Sequence, residues 1–286
     1  MNICLFTNEE INKPLSVNDE RAIHLNKVLH KKEGDTFSAG IIGGQAGTAT
    51  ITKAVKVPNP KTGKNDVQYE FSFKEESDGK PLFPLIMIIG FPRPIQLKRL
   101  LRDVAALGVC EVHLTGTELG EKSYMQSTLV ERGAAYQMLL DGTVQAASTH
   151  VPELFLHSSL KECLDSIESQ ENQQAAENRE ASSNQQAAEN REASSNQQCG
   201  CLEKITLDNI RPEGSLETLV SGIGKLSENQ KVVAAIGSER GWTDKERQLL
   251  RDSGFKICSM GSRVMRTETA ATVSASIILS KLGYLD

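Results

Sequence analysis

Apolar and polar positions fall into two regimes along this chain. Up to about residue 80 the apolar residues come in short β-rich runs, "GDTFSAGIIGG", "GTATITKAVKV" and "VQYEFSFKEE", separated by Gly, Pro and Asn. Runs of that kind predict a small barrel or sandwich. A helix precedes them, because "SVNDERAIHLNKVLH" sets Ala22, Leu25 and Leu29 on one face. From residue 82 the pattern alternates between strand and helix. "LIMIIGF" reads as a buried strand. "PIQLKRLLRDVAALGV" reads as a helix, with Leu97, Leu100, Leu101, Val104 and Leu107 at helical spacing and a stop at Gly108. "CEVHLTG", "ELFLHSS", "KITLDN" and "KVVAAIG" are further strands. Thr128 with Glu131, Ser159 with Glu162 and Thr243 with Glu246 have the spacing of capping boxes that open helices. This alternation predicts a parallel α/β sheet.

The last helix, Thr269 to Leu282, is made largely of Ala, Ser, Thr and Val. Small side chains let a helix approach its neighbours closely. The glycine-led, charged turn before it, with Arg263, Arg266 and Glu268, therefore lies beside a tight contact.

One segment breaks the pattern. "NQQAAENREASS" occurs at 172–183 and again at 184–195, with no Val, Ile, Leu or aromatic residue. It cannot bury enough apolar surface to fold on itself. Residues 169–200 therefore read as a disordered or transiently helical surface insertion. The expected organisation is a domain over 1–80 and a second over 81–286 that carries the insertion.

Charge changes the picture once it is located. The chain's net charge of −5 argues against a nucleic-acid partner, yet residues 161–203 hold three Lys/Arg against nine Asp/Glu. Without that segment the rest stands at about +1, so whole-chain charge says little about any binding face. No run approaches the roughly 18 apolar residues of a membrane span. No basic-then-apolar leader opens the chain, and six scattered cysteines read as reduced cytosolic thiols. The lone Cys199-Gly-Cys201 lacks a second ligand pair at zinc spacing, and the five histidines are dispersed. No metal site is expected.

Chemistry concentrates at two strand–turn–helix junctions, "VVAAIGSERGWT" (232–243) and "KICSMGSRVMRTETAA" (256–271). In open parallel sheets ligands bind beyond the carboxyl ends of strands, where glycines admit a ligand close to the backbone. Neither a G-x-x-x-x-G-K-[ST] nor a strand-borne G-x-G-x-x-G is present.

"IGSERGWTDKE" followed by "MGSRVMRTETAA" resembles the two C-terminal motifs of the RsmE-type ribosomal RNA uracil-N3 methyltransferases of the SPOUT superfamily, in their Glu-Arg-Gly-Trp branch. "HLNKVLHKKEGD", "LLRDVAALGV", "EKSYMQS" and "VPEL" match further stations in the same order. The resemblance implies an N-terminal PUA-like β-barrel for RNA, a C-terminal α/β domain with a trefoil knot, and a cytoplasmic homodimer. It implies S-adenosylmethionine as cofactor and 16S ribosomal RNA or the small subunit as partner, with methylation at N3 of a uridine. Ile236, Gly237, Glu239, Gly241, Met260, Gly261, Val264, Met265 and Thr267 would hold the cofactor. Arg266 and Arg263 would stabilise charge, with Glu268 organising them. His24, Lys27, Lys31 and Lys32 would grip RNA. The family's Glu and Arg in one helix motif are Val144 and Ser148 here. That departure leaves open a relative that binds RNA without methylating it, or one that acts on another RNA.

Overall fold

The computed structural model describes residues 2–58, 65–126, 133–186, 202–227 and 230–285. Thr128, Glu131, Cys199 and Cys201, singled out above, lie outside them. The chain forms two compact units, Met1–Leu82 with Gln137–Val151, and Phe83–Tyr136 with Pro152–Asp286. A single cut near residue 80 therefore misses one feature: 137–151 return to the first unit.

In the first unit, β1 (Cys4–Phe6), β2 (Thr36–Ile41), β3 (Ala46–Pro58) and β4 (Asn65–Ser77) form one sheet in that order. β1 pairs with β2 in parallel, and the other pairings are antiparallel. The sheet curls, so that the rings of Phe6 on β1 and Phe71 on β4 lie 5.1 Å apart and Leu15 bridges to Tyr69. Helix α1 (Glu20–Lys27) opens on Asp19, whose carboxylate accepts the Arg21 N–H, and buries Ala22 and Leu25. Leu29 does not share that face. The helix ends at Lys27, His30 takes φ +51°, and Leu29 is left 43% exposed.

Helix α4 (Ala134–Ala146) contributes its residues from Gln137 onward to this unit. Leu140 and Val144 pack on Ile3, Leu5 and Ala46. The Ser148 hydroxyl bonds the carbonyls of Gly79 (3.1 Å) and Lys80 (2.9 Å) and accepts the His150 N–H. The two residues that depart from the family motif thus fasten 137–151 to the first unit.

The second unit holds seven strands: β5 (Phe83–Gly90), β6 (Val109–Thr115), β7 (Glu153–His157), β8 (Leu202–Leu207), β9 (Gly214–Ser215), β10 (Lys231–Ile236) and β11 (Lys256–Ser259). Their order is β7-β6-β5-β10-β8-β11-β9, and every described pairing is parallel. β10, at the centre, is Val, Ala and Ile after Lys231 and is buried from Val232 to Ile236, and β5 beside it is buried from Leu85 to Gly90, as a sheet covered on both faces requires.

Around it lie α2 (Pro94–Ala106), α3 (Lys122–Met125), α5 (Leu160–Gln186), α6 (Leu216–Ile223), α7 (Asp244–Asp252) and α8 (Thr267–Lys281). α2 starts on a proline and buries Leu97, Leu100, Leu101 and Val104. α7 starts on the expected capping box, with Thr243 and Glu246 bonded reciprocally. At α5 the box is half formed. Ser159 accepts the Glu162 N–H, but the Glu162 carboxylate takes the N–H of Ser158.

α8 packs on α2, α6, β5 and β10, with Ala270, Ala271, Ser274 and Ala275 buried. Its small residues permit that four-sided contact. The described part of the insertion, 169–186, continues α5 as helix. The amphipathic first turns, anchored by Leu160, Cys163, Leu164 and Ile167, supply the costly nucleus. The Ala, Glu, Gln and Arg of the repeat are good propagators once it exists.

Candidate active site

The carboxyl ends of three neighbouring strands, β8, β10 and β11, open onto one cleft of about 120 Å³. That is several times the roughly 10–15 Å³ that a single water requires. The turn after β10 supplies Ile236, Gly237, Ser238, Glu239 and Gly241. The end of β11 and the turn beyond supply Ser259, Met260, Arg263, Val264 and Met265, and the first turn of α8 adds Thr267 and Ala270. The end of β8 adds Leu207, Asp208 and Asn209.

Glycine sets the shape of the β10 turn. Gly241 takes φ +72° and donates its N–H to the Ser238 carbonyl at 2.8 Å. A Cβ on Gly237 would stand 2.9 Å from the Gly241 carbonyl carbon, so the turn folds flat against itself. On the other side, a Cβ on Gly90 at the end of β5 would stand 2.4 Å from the Ser238 nitrogen. The Thr267 hydroxyl donates to the Gly237 carbonyl at 3.3 Å, tying α8 to the same turn. The Ser238 hydroxyl, 8% exposed as a residue, has no hydrogen-bond partner among the described residues. A buried hydroxyl left unpaired at a cleft wall is a vacant hydrogen-bonding position.

Asp208 is fixed from two sides. Its N–H donates to the Cys258 carbonyl at 2.9 Å, and its carboxylate accepts Arg247 Nε at 2.7 Å. Burial disfavours the charged Arg247, but the hydrogen bond and charge of Asp208 outweigh it and raise its pKa. Both side chains are less than a tenth exposed, whereas Asp244, the second partner of Arg247, is 97% exposed.

Of the residues expected at the cofactor, all but Gly261 line the cleft. Gly261 is exposed with φ +103° and open space beyond its Cα; it shapes the turn without forming a wall. Of the three charged residues, only Arg263 faces the cleft. Arg266 is exposed and Glu268 is buried in the first turn of α8. Among the described residues no ion pair joins Glu268 to either arginine, so its expected organising role is not formed. The positive pole of the helix gives its carboxylate a favourable position instead.

Sequence reasoning missed Asp208, Asn209 and Ser238. "KITLDN" was readable as a strand, but nothing in the sequence alone puts its end beside β10.

In the first unit, Lys27 and Lys32 are exposed and Lys31 is half-buried. Lys27 lies 3.9 Å from Asp66. Burial lowers the pKa of His24, and its Nε2 has no hydrogen-bond partner among the described residues. Arg21 is spent on structure, bonded to Asp19, Glu10 and the Leu5 carbonyl with its guanidinium over the Phe6 ring.

The histidines are not all dispersed in space. His113 Nδ1 and His157 Nε2 are hydrogen-bonded at 2.9 Å, and Cys163 Sγ lies within 4.8 Å of both. Adjacent strands bring together what 44 residues of sequence keep apart. The bond satisfies a nitrogen of each ring without an ion. Burial, then His113, lowers the pKa of His157.

The cleft sits where parallel α/β enzymes hold their ligands, and the comparison with known proteins defines the class. The family model described as RNA methyltransferase domain matches residues 79–279. Ribosomal RNA small subunit methyltransferase E of Treponema pallidum is 34% identical, covering 98% of this chain and 91% of the relative. Ribosomal RNA small subunit methyltransferase E 1 of Borreliella burgdorferi is 30% identical, covering 99% of both. The chain belongs to the RNA methyltransferase family, in the branch of the ribosomal RNA small subunit methyltransferase E proteins. Among solved structures, a Neisseria gonorrhoeae ribosomal RNA small subunit methyltransferase E bound to S-adenosyl methionine has a TM-score of 0.61 at 18% identity, covering 98% of this chain and 97% of that one. A Legionella pneumophila protein in complex with bound SAM has a TM-score of 0.62 at 19% identity, with the same coverage. At these identities the likeness is one of fold.

The Asp208–Arg247 pair yields a direct test of how the cleft is held. Arg247→Ala strands a buried carboxylate and should lower unfolding free energy by about 3 kcal/mol. Asp244→Ala removes only an exposed partner and should cost less than about 1 kcal/mol. Urea titrations of the two variants measure the difference; equal losses would show that Asp208 is not held by this pair.

Proposed function

We propose that the chain uses S-adenosylmethionine to methylate N3 of a uridine in the 16S RNA of the small ribosomal subunit. The observation that carries this is the cleft itself, lined by the two family motifs at the ends of β10 and β11 with the end of β8 between them, in a chain of the RNA methyltransferase family. Its residues fit the cofactor. Leu207, Ile236, Met260, Met265 and Ala270 offer apolar surface for a purine ring. Asp208, Asn209 and the unpaired Ser238 hydroxyl offer polar groups for ribose and amino-acid moieties. When bound, the cofactor supplies a methyl group already activated on a sulfonium.

The protein's own task is mainly positioning. Uracil N3 carries a proton near neutral pH, so the site needs a proton acceptor or a stabiliser of the developing anion. Arg263 at the cleft, with the exposed Arg266 in the same turn, serves the second need. Glu268, buried away from the cleft lining, does not serve the first.

The finer architecture follows the same reading. The first unit is a PUA-like barrel, supported by its curled sheet, and it grips RNA through His24, Lys27, Lys31 and Lys32. The second is a SPOUT domain with a trefoil knot. In support, β11 inserts between β8 and β9, which only residues 208–213 connect, and the chain then runs on into α8. The protein acts in the cytoplasm as a homodimer. Val273 and Ile277, half-buried on α8, and Ile95 on α2, 76% exposed, are apolar surface available to a partner copy. No described helix is long and apolar enough to cross a membrane. Val144 and Ser148, whose departure from the family motif left RNA binding without methylation open, have packing roles in the first unit.

Three measurements check this reading. Calorimetry should show S-adenosylmethionine binding to the wild type, abolished by Ala270→Phe, which puts a ring into the cleft; a wild type that binds none contradicts the assignment. Replacing Lys27, Lys31 and Lys32 by Ala should weaken RNA binding and flatten the dependence of log K on log salt by up to about 0.7 per lost phosphate contact, with cofactor affinity unchanged. An identical salt slope would move the RNA grip elsewhere. Sedimentation at micromolar concentration should give a dimer for the wild type and a monomer for Ile277→Arg; a monomeric wild type refutes the assembly.

A further inference from the structure

Away from the cleft, the described residues of the second unit hold a buried cluster of metal-binding types. One ring nitrogen each of His113 and His157 and the Cys163 sulfur lie within 4.8 Å of one another. His113 and Cys163 are fully buried and His157 is 6% exposed. None of the three lines the cleft.

Three elements deliver them. β6 and β7 pair in a parallel register that sets His113 opposite Phe155 and His157 opposite Thr115. The two histidines therefore project from the same face of the sheet. Phe155 stacks on the His113 ring, with 4.6 Å between centroids. Cys163 sits in the first turn of α5, where its N–H donates to the Ser159 carbonyl at 3.1 Å. It belongs to an otherwise apolar core cluster with Ile86, Ile88, Leu160 and Ile167.

A second row of side chains stands behind the first. Glu111 Oε2 lies 3.5 Å from His113 Nε2, and Lys231 Nζ donates to Glu111 Oε1 at 2.7 Å. The Glu111 contact keeps the His113 proton on Nε2 and leaves the Nδ1 lone pair facing His157. Metal-ligating imidazoles are oriented in this way, with the outer N–H on a carboxylate.

We infer that His113, His157 and Cys163 form a site for a thiophilic metal ion of the zinc type, which staples β6, β7 and the start of α5 together. The inference is independent of the methyl-transfer reading. Two imidazoles and a thiolate are a donor set for zinc, whereas magnesium and calcium take oxygen. Zinc held at about 2.0–2.3 Å from each donor sets the donors about 3.3–3.8 Å apart. The His113–His157 contact, 2.9 Å without an ion, then opens by about half an ångström. In the ion-free protein His157 Nε2 donates to His113 Nδ1. Zinc takes the place of that proton, which passes to Nδ1 of the His157 ring, and the thiol proton leaves for solvent. Burial holds Cys163 as the protonated thiol, so only an ion that binds sulfur strongly displaces it. No fourth side chain joins the cluster among the described residues, so the remaining position of a tetrahedron falls to water.

The test uses the full chain, stripped with a chelator, dialysed and titrated with zinc, with cobalt(II) as the spectroscopic stand-in. The wild type should retain one equivalent of zinc, and its cobalt form should show a thiolate-to-metal charge-transfer band with the intense visible bands of a tetrahedral site. Zinc at about a hundred times its Kd should raise the unfolding temperature by about 4 °C or more. Magnesium should not. Cys163→Ala should lose the charge-transfer band and the zinc-induced shift. Glu111→Gln keeps all three donors and should weaken zinc by about tenfold with the band retained. Replacing Cys199 and Cys201 together by Ser should leave stoichiometry and spectrum unchanged. Circular dichroism reports that each variant folds. A wild type that retains no more zinc than Cys163→Ala overturns the inference, as does a cobalt form without the thiolate band. Binding lost in the Cys199 and Cys201 double variant instead places the ion on that pair and overturns it too.

Discussion

The close approach of α8, β5 and β10 is the constraint on which the second unit depends. β10 is buried on both faces and hydrogen-bonded on both edges, to β5 and β8. α8 can lie against it only because its inner positions are Ala270, Ala271, Ser274 and Ala275. Gly90 and Gly237 extend the same economy of volume to the strand ends, where any Cβ would collide with backbone. The turn at 237–241 is therefore pinned from both sides and forms a wall of the cleft. A charged turn precedes a small-residue helix because the helix must enter a crowded place and the turn must emerge from it facing a ligand.

Much of this was legible in the sequence. The strand–helix alternation after residue 82, the capping box at Thr243 and the small-residue helix are local signals with local causes, and the structure forms each of them. Both glycine-led turns were visible as strand ends. Neighbourhood was not. Which strand adjoins β10 depends on sheet order, so Asp208 and Asn209, which follow β8, gave no sign of reaching the same cleft. His113 and His157 looked dispersed for the same reason. Glu268 was misjudged because a carboxylate next to arginines in sequence need not face them once a helix begins. A repeat without apolar residues cannot fold on itself, and its described part, up to residue 186, extends a helix that a preceding amphipathic segment has already nucleated.

The two units divide the demands of an RNA-modifying enzyme differently. The second is built around buried apolar strands, and its chemistry sits on the turns at their ends, held by short hydrogen bonds and one buried ion pair. The first carries two exposed lysines, Lys27 and Lys32, at and after the end of α1, while Arg21, in the same helix, is committed to packing. Val144 and Ser148 belong to the frame as well, fastening 137–151 to the first sheet. Their departure from the family pattern thus has a packing role, whereas the groups facing the cleft come from the two family motifs and from the segment at the end of β8.

The most direct test of the central claim is nucleoside mass spectrometry of small-subunit ribosomal RNA incubated with the purified protein and S-adenosylmethionine carrying an isotopically labelled methyl group. The account predicts labelled N3-methyluridine. RNA without label, or label confined to another nucleoside, would contradict it.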